Sequence, residues 1–272
     1  MLTLLKLLKD GRFHSGEALG AALGVSRSAV WKQLQHLEIE LDLTIHKVRG
    51  RGYQLASPLV LLSADEIALK SQVCAGSVFI SETIGSTNAE ALRLIEAGQV
   101  APFLVLSEQQ TAGRGRRGRK WVSPFAQNVY YSLVLRIDGG LRQLEGLSLV
   151  VGLAVMQTLR DFGVHGSGLK WPNDVLVGSK KIAGILLELV GDPADVCHVV
   201  LGIGINANMQ SAAEVDQQWT SIQLETGRAV DRNHLVAHLS QALQGYLDDH
   251  RDSGFSVIRQ EWEQNHLWQG KA

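Results

Sequence analysis

The sequence predicts an α+β protein made of a small N-terminal winged helix-turn-helix and a larger mixed-sheet domain. Three observations lead to this prediction. Two short helical segments separated by a glycine turn follow a leading helix, a hairpin with a basic tip comes next, and the remaining chain mixes paired strands with unevenly placed helices. Residues 56–58 are typical of a hinge, so we place the domains at residues 1–57 and 58–268.

Composition narrows the class of protein. The 272 residues are 45% hydrophobic and 19% charged, with a net charge of −1, which is typical of a globular protein with an ordinary core. The apolar run at residues 149–156 is too short to cross a bilayer. Cys74 and Cys197 are far apart and have no clustered histidines, so we expect no disulfide framework, no metal site and a cytoplasmic location.

The helices of the small domain follow from leucine spacing and capping residues. Leu2, Leu5 and Leu8 repeat at helical spacing, and Ser15 and Ser26 are suited to cap the next two helices. Six residues have side chains suited to phosphates and base edges: Arg27, Ser28, Lys32 and Gln33 on the exposed side of the third helix, and Arg49 and Arg51 on the hairpin tip, or wing.

DNA binding is the favoured interpretation of this domain. A helical hairpin alone is equally typical of a protein core or an interaction module. The wing adds weight, and so does the charge, because residues 1–57 hold eight basic residues against five acidic ones.

The larger domain is predicted from capping and alternation signals. Helices are expected from a Ser63 and Glu66 capping box, at 89–97, at 147–162 and from Asp231 to about residue 250. The expected strands are 77–82, 103–109, 128–136, 169–171, 175–177, 182–189 and 198–206.

The most informative segment is a basic loop at residues 113–121. It holds five basic residues, three glycines and Trp121, so it offers forked donors, free backbone N–H groups and a flat apolar ring. Basic runs are commonly solvated loops or nucleic-acid patches. This one lies between two predicted strands with Gln109 and Gln110 at its root, which favours a lid over an anionic ligand.

Four further segments carry groups suited to a ligand, and each has a plainer interpretation. Residues 86–88 also fit a helix cap, residues 170–174 also fit a strand-ending turn, and Lys181 also fits an exposed strand lysine. Alternate glycines at residues 202–206 indicate close approach of other groups to the strand.

The segments GRGRRGRKW, KWPND, KIAGIL and GIGIN follow a winged helix-turn-helix in this order, and the chain therefore resembles the BirA-type biotin protein ligases that double as biotin-operon repressors. The resemblance covers nearly the whole chain. It implies a biotin ligase/lipoate ligase-like catalytic domain that joins biotin to ATP with Mg²⁺. The biotinyl-5′-AMP then gives biotin to a lysine of the biotin carboxyl carrier protein of acetyl-CoA carboxylase.

The resemblance also implies roles for individual residues. Lys181 and Arg116 are the expected catalytic residues. The expected biotin-binding residues are Ser86, Thr87, Asn88, Gln110, Arg114, Gly115, Arg116 and Lys181, and the expected adenylate-binding residues are Trp121, Asn173, Asp174 and Asn206.

A regulatory switch is implied as well: the adenylate-bound form homodimerises and binds operator DNA. The family has an SH3-like domain after the catalytic one, and the chain reaches Ala272 about where that domain would begin, so we expect the module to be absent or truncated. A non-catalytic biotin-sensing repressor and a lipoate or octanoate ligase relative remain the alternatives.

Overall fold

The structure, a computed structural model, describes residues 2–70, 76–138, 140–192 and 196–268, so Cys74 lies outside the described residues. The chain divides into two compact units, Met1–Leu61 with Pro124–Ala126 and Leu62–Ser123 with Gln127–Ala272. Within the described ranges, no helix is both long and apolar enough to span a membrane.

The smaller unit contains a helix-turn-helix and a two-stranded wing. Its elements are α1 (Leu2–Leu8), α2 (Gly16–Leu23), α3 (Arg27–Leu41), β1 (Ile45–Val48) and β2 (Gly52–Leu55). The Oγ atoms of Ser15 and Ser26 accept hydrogen bonds from Ala18 N and Ala29 N at 3.0 and 3.2 Å, so both predicted caps form. Gly24 ends α2 with a φ of 67°, a left-handed conformation that favours glycine.

The larger unit is built on one seven-stranded mixed sheet. Its strands are β3 (Ser77–Ile84), β4 (Phe103–Gln110), β5 (Val129–Ile137), β6 (Ser167–Lys170), β7 (Asp174–Val177), β8 (Lys180–Gly191) and β9 (Cys197–Ile205). The order across the sheet is β3-β4-β5-β9-β8-β7-β6. Strands β3 and β4 are parallel, and the other neighbours are antiparallel.

Helices cover both faces of this sheet. They are α4 (Ala64–Lys70), α5 (Thr87–Glu96), α6 (Leu147–Asp161), α7 (Ile222–Thr226), α8 (Arg232–Ser253) and α9 (Phe255–Asn265). The main core lies between one face and helices α6 and α8. A smaller cluster joins Ala91 of α5 to Phe103, Val105 and Val200 on the opposite face.

The α+β class is confirmed, and two local expectations need correction. Helices α7 and α9 were not predicted, because α7 is only five residues long and α9 is largely polar and fully buries only Ile258. The capping box at Ser63 is half formed. Its Oγ accepts from Glu66 N at 3.4 Å, whereas its own N–H donates to Asn233 Oδ1 at 2.9 Å.

A buried ion pair ties α8 to β4. Arg232 Nη2 lies 2.6 Å from Glu108 Oε2, and the two side chains are only 1% and 4% exposed. Arg232 also donates to Asn128 O at 3.2 Å, and Glu108 Oε1 accepts from Leu62 N at 2.5 Å. The carboxylate is therefore almost fully satisfied away from water, which is the condition under which such a pair is tolerated.

Replacing Arg232 with alanine is expected to leave the Glu108 carboxylate buried without a cation. The expected loss is about 3–5 kcal/mol of unfolding free energy, measured by urea denaturation. Arg259→Ala, which breaks the exposed Arg259–Glu263 pair, is the control and should lose less than about 1 kcal/mol. Equal losses in the two variants would contradict a special role for the buried pair.

Candidate active site

Strand alternation gathers the predicted site residues on the α5 face of the sheet. Successive side chains of a strand point to opposite faces. In β9, Val199, Leu201 and Ile203 enter the main core, so Gly202 and Gly204 face the other side. By the same alternation Ser132 of β5 and Gly184 of β8 lie on that face, below the start of α5.

The inner cleft on this face is lined by Ser86, Thr87, Asn88, Gln110, Arg114, Gly115, Arg116, Trp121, Tyr130, Asn173, Lys181, Gly184, Ile185, Leu186, Gly202, Ile203 and Gly204. All eight of the residues expected around biotin are in this set. The structure therefore brings together segments that are separated by up to about a hundred residues along the chain.

The triplet at the start of α5 does not act as a helix cap. Ser86 is at the N-cap position but makes no side-chain cap hydrogen bond. Instead, Gln110 Oε1 accepts from Thr87 N at 2.9 Å and from Thr87 Oγ1 at 3.2 Å. Asn88 Oδ1 accepts from Ser132 Oγ at 2.6 Å. The start of α5 is therefore hydrogen-bonded to residues of the cleft, and helix capping alone does not account for this triplet.

The glycines of β8 and β9 are required by close side-chain contacts. A Cβ at Gly202 would lie 2.3 Å from Asn88 Oδ1, and a Cβ at Gly204 would lie 2.5 Å from Trp121 Cε2. A Cβ at Gly184 would come within 3.0 Å of the Trp121 ring. The groups that closely approach the alternate glycines are therefore the side chains of Asn88 and Trp121.

The basic loop is a closed hairpin. Trp121 N donates to Gly113 O at 2.9 Å, and Gly115 N donates to Arg119 O at 2.7 Å. Inside the loop, Arg116 Nη1 donates to Asn173 Oδ1 at 3.0 Å, which links the loop to the segment 170–174. These contacts set the loop above the cleft, in the place expected of a lid.

Lys181 points inward. Its Nζ lies 2.8 Å from Asp174 Oδ1, with the two side chains 16% and 20% exposed, and 5.3 Å from the centroid of the Trp121 ring. Its backbone is bonded on both sides, by Lys181 N to Gln218 O and by Thr220 N to Lys181 O. The interpretation of this lysine as an exposed strand residue is therefore wrong.

A second cavity of about 490 Å³ opens beyond the inner cleft and shares Arg116, Trp121, Asn173 and Lys181 with it. This volume is within the range of about 300–1,000 Å³ for small-molecule sites. Asp174 and Asn206 also line the cavity, so all four residues expected around the adenylate border it. Asn206 Nδ2 donates to Thr220 O at 2.9 Å, which fixes its amide.

Several polar residues of the site were missed at the sequence level, among them Ser123, Glu188 and Tyr130. Ser123 Oγ donates to Trp121 O at 3.0 Å and accepts from Gln110 Nε2 at 3.1 Å. Glu188 accepts from Asn88 and Arg114. Burial raises the pKa of the Tyr130 phenol well above its usual value, so this hydroxyl stays protonated beside the side chains of Asn128 and Ser123.

The indole of Trp121 carries an unused polar group. Its Nε1 is buried and has no hydrogen-bond partner among the described residues. A buried indole N–H usually finds an acceptor. Because it lies on the wall shared by the cleft and the outer cavity, a ligand acceptor at this position would satisfy it.

The smaller unit presents its own candidate surface. Arg27, Ser28 and Lys32 are exposed on α3, as predicted, and so is Trp31, which the sequence analysis did not name. Gln33 is only half-buried on the flank of the helix, and its expected exposure needs correction. Position 33 follows Val30 by three residues, so it borders the buried stripe.

The wing arginines are both exposed. Arg49 lies at the tip of the hairpin, and the Arg51 guanidinium lies 4.0 Å from the centroid of the Phe13 ring. Stacking on an aromatic ring restrains a side chain that would otherwise be free. Arg49 is therefore the freer of the two wing cations to meet a partner.

Comparison with known proteins agrees with this arrangement. Residues 80–206 match the biotin/lipoate A/B protein ligase family, and residues 1–54 match an HTH domain. The bifunctional ligase/repressor BirA of Salmonella typhimurium is 42% identical over 264 residues, which is 96% of this chain and 81% of that protein. The chain belongs to the family of bifunctional biotin ligase/repressors.

Other biotin ligases are similar over shorter ranges. The biotin–[acetyl-CoA-carboxylase] ligase of Paracoccus denitrificans is 44% identical over 65% of this chain and 75% of that protein. Among solved structures, the biotin protein ligase of Aquifex aeolicus in complex with biotin and ATP superposes with a TM-score of 0.61. It has 29% identity and covers 71% of this chain and 79% of that chain.

Gly204→Ala is expected to push the Trp121 indole out of the cleft, because the new methyl group would lie within 2.5 Å of it. Acrylamide quenching of tryptophan fluorescence should increase. A Trp121→Phe variant identifies how much of the quenched fluorescence comes from Trp121. Gly245→Ala, where nothing lies within 4 Å, is the control. Equal quenching in Gly204→Ala and in the unchanged protein would mean that the position of Trp121 does not require a glycine at residue 204.

Proposed function

We propose that the chain forms biotinyl-5′-AMP from biotin and ATP, transfers the biotinyl group to a lysine of a carboxylase carrier domain, and represses transcription by binding operator DNA. The observation that carries the proposal is the pair of adjoining cavities with Lys181 and Arg116 on their common wall. Two cations at that boundary lie where the carboxylate of one substrate would meet the phosphate of the other.

The inner cleft is suited to biotin. Thr87, Asn88 and Gln110 offer donors and acceptors to a ureido ring, and Leu186 supplies an apolar wall for the thiophane ring and the valeryl chain. Since the polar groups lie at the α5 end, the carboxylate of a bound biotin is expected to point towards Lys181.

In the first step a biotin carboxylate oxygen attacks the α-phosphorus of ATP. A P–O bond forms, the bond to the β-phosphate bridging oxygen breaks, and pyrophosphate leaves with that electron pair. Negative charge accumulates on the phosphoryl oxygens, and Lys181 and Arg116 are placed to neutralise it. Asp174 and Asn173 hold these two cations in place before the substrates bind.

In the second step the lysine amine of the carrier domain attacks the acyl carbon of the mixed anhydride. The C–N bond forms, the C–O bond to AMP breaks, and the amine loses a proton. Until the carrier arrives the anhydride must be kept from water. The hairpin of the basic loop, closed through Gly115 and Arg119, is suited to cover it.

The proposal includes Mg²⁺, which would neutralise phosphate charge and polarise the α-phosphate. Across the described residues no group of three acidic or histidine side chains is suited to hold a metal ion alone. Mg²⁺ is usually bound by one or two carboxylates together with substrate phosphates. Asp174, Glu214 and Asp216 line the outer cavity and are the carboxylates available for this.

Operator binding is assigned to the smaller unit. The exposed face of α3 carries Arg27, Ser28, Trp31 and Lys32, which suits a helix in the major groove, and Arg49 suits a phosphate contact. We also propose that the adenylate-bound chain homodimerises, as the resemblance implies, so that two such helices reach a palindromic site.

Labelled biotin incubated with ATP, Mg²⁺ and a purified carrier domain tests the proposal, because label must appear on the carrier lysine. Sedimentation of the same mixture without the carrier tests dimerisation. Dimerisation on addition of biotin or of preformed biotinyl-5′-AMP, with neither adenylate formation nor transfer, would favour the non-catalytic repressor. Transfer of lipoate or octanoate in preference to biotin would favour the lipoate ligase relative.

Lys181→Ala is expected to lower the rate of biotin-dependent pyrophosphate exchange by about 10²–10³-fold, because one preorganised positive charge at the phosphoryl group is removed. The exposed neighbour Lys180→Ala is the matched control and should retain normal exchange. Near-normal exchange in Lys181→Ala would remove this residue from the mechanism.

Arg49→Ala is expected to weaken binding to a duplex of random sequence and to one of palindromic sequence by the same factor. A phosphate contact carries no sequence information, and its loss should reduce the slope of log K against log salt by about 1. Fluorescence anisotropy at several salt concentrations measures this. Arg93→Ala, an exposed arginine of the larger unit, is the control. An unchanged slope would mean that Arg49 does not contact a DNA phosphate.

A further inference from the structure

Glu188 is the acidic residue closest to the polar end of the inner cleft. It follows Gly184 and Leu186 at a spacing of two residues along β8, so its side chain rises on the same face of the sheet. Across β9, Leu186 pairs with Gly202 and Glu188 pairs with Val200. The carboxylate therefore lies one step beyond the glycine that makes room for Asn88.

The carboxylate is shared between two partners. Asn88 Nδ2 donates to Glu188 Oε2 at 2.7 Å, and Arg114 Nη2 lies 3.1 and 3.0 Å from the two carboxylate oxygens. Glu188 is 24% exposed and Arg114 is 46% exposed, so the pair lies at the edge of the cleft and is only partly screened by water.

This contact completes a chain of hydrogen bonds that begins and ends on the basic loop. At the end of the loop, Trp121 O accepts from Ser123, which accepts from Gln110, which accepts from Thr87. At the start of the loop, Arg114 donates to Glu188, which accepts from Asn88. Both ends of the loop are thereby tied to adjacent residues of one helix start.

We propose that Glu188 is a positioning residue, which tethers Arg114 at the start of the basic loop to Asn88 in the polar pocket. The tether holds Arg114 over the cleft before a ligand binds and limits how far the loop opens. Its effect on biotin binding rests on the proposed function, because Asn88 is assigned to the ureido ring there. The tether itself depends only on the geometry.

The first test uses trypsin on the protein without ligand, because the loop offers five cleavage sites at its arginines and lysine. Glu188→Gln keeps an acceptor for Asn88 but removes the charge that holds Arg114. Initial cleavage within residues 113–121 should be about two- to fivefold faster, the range expected for one partly exposed ion pair. Glu188→Ala should be at least as fast.

The matched control is Glu90→Gln, which removes a carboxylate of the same ion-pair type, Glu90–Arg93, on α5 itself. It should leave cleavage of the loop at the original rate. In an Arg114→Gln background, adding Glu188→Gln should produce no further acceleration, since the partner is already gone. Cleavage of Glu188→Gln at the original rate, or a full additional acceleration in the Arg114→Gln background, overturns the proposal.

A second readout separates positioning from a general loss of structure. In pyrophosphate exchange, Glu188→Gln should raise the KM for biotin by about two- to fivefold and change kcat by less than a factor of two, because a preformed binding contact is lost. A fall in kcat with an unchanged KM would overturn the tether as a binding device. If the unchanged protein shows no exchange, the proposed function fails, and the trypsin comparison still decides the tether.

Discussion

Three glycines on the paired strands β8 and β9 leave space for side chains that come from elsewhere. Asn88 fills the space above Gly202, and Trp121 fills the space above Gly204 and Gly184. A Cβ at Gly202 or Gly204 would overlap with one of the two, and a Cβ at Gly184 would be tight against the Trp121 ring, so the cleft depends on the absence of side chains here. The start of α5 and the end of the basic loop both obtain their positions from this constraint.

The three cations of the inner cleft are each held by a partner before any ligand is present. Lys181 is paired with Asp174, Arg114 with Glu188, and Arg116 with Asn173. Such pairing fixes the donors where negative charge would develop, so little reorganisation is required during the reaction. An anionic ligand must compete with these partners, and so the partners help to set how tightly the loop closes.

Strand β4 contributes both to the stability of the larger unit and to the geometry of the site. Glu108, near the end of this strand, faces the main core and is paired with Arg232, while Gln110 turns into the cleft and organises Thr87 and Ser123. The buried ion pair therefore fixes the strand end from which the polar pocket is built. Burial of Tyr130 beside Asn128 and Ser123 keeps a protonated phenol next to the same strand.

Local signals in the chain were enough to predict the class of fold, most strands, the winged helix-turn-helix and the loop that matches the family. Helical and strand periodicity depend on neighbours a few residues apart, and the motifs are contiguous, so both are visible in the order of residues. Helix α9 was not predicted, because it is largely polar and fully buries only Ile258.

Contacts between distant residues were decided by the folded chain alone. Arg114 and Glu188 are 74 residues apart, and Ser132 and Asn88 are 44 apart. Neither Glu188 nor Ser132 has a local pattern that marks it. The start of α5 at Thr87 is hydrogen-bonded to Gln110, a partner that only the sheet brings near. Side-chain direction on a strand and the pairing of strands determine such contacts, and both are properties of the tertiary structure.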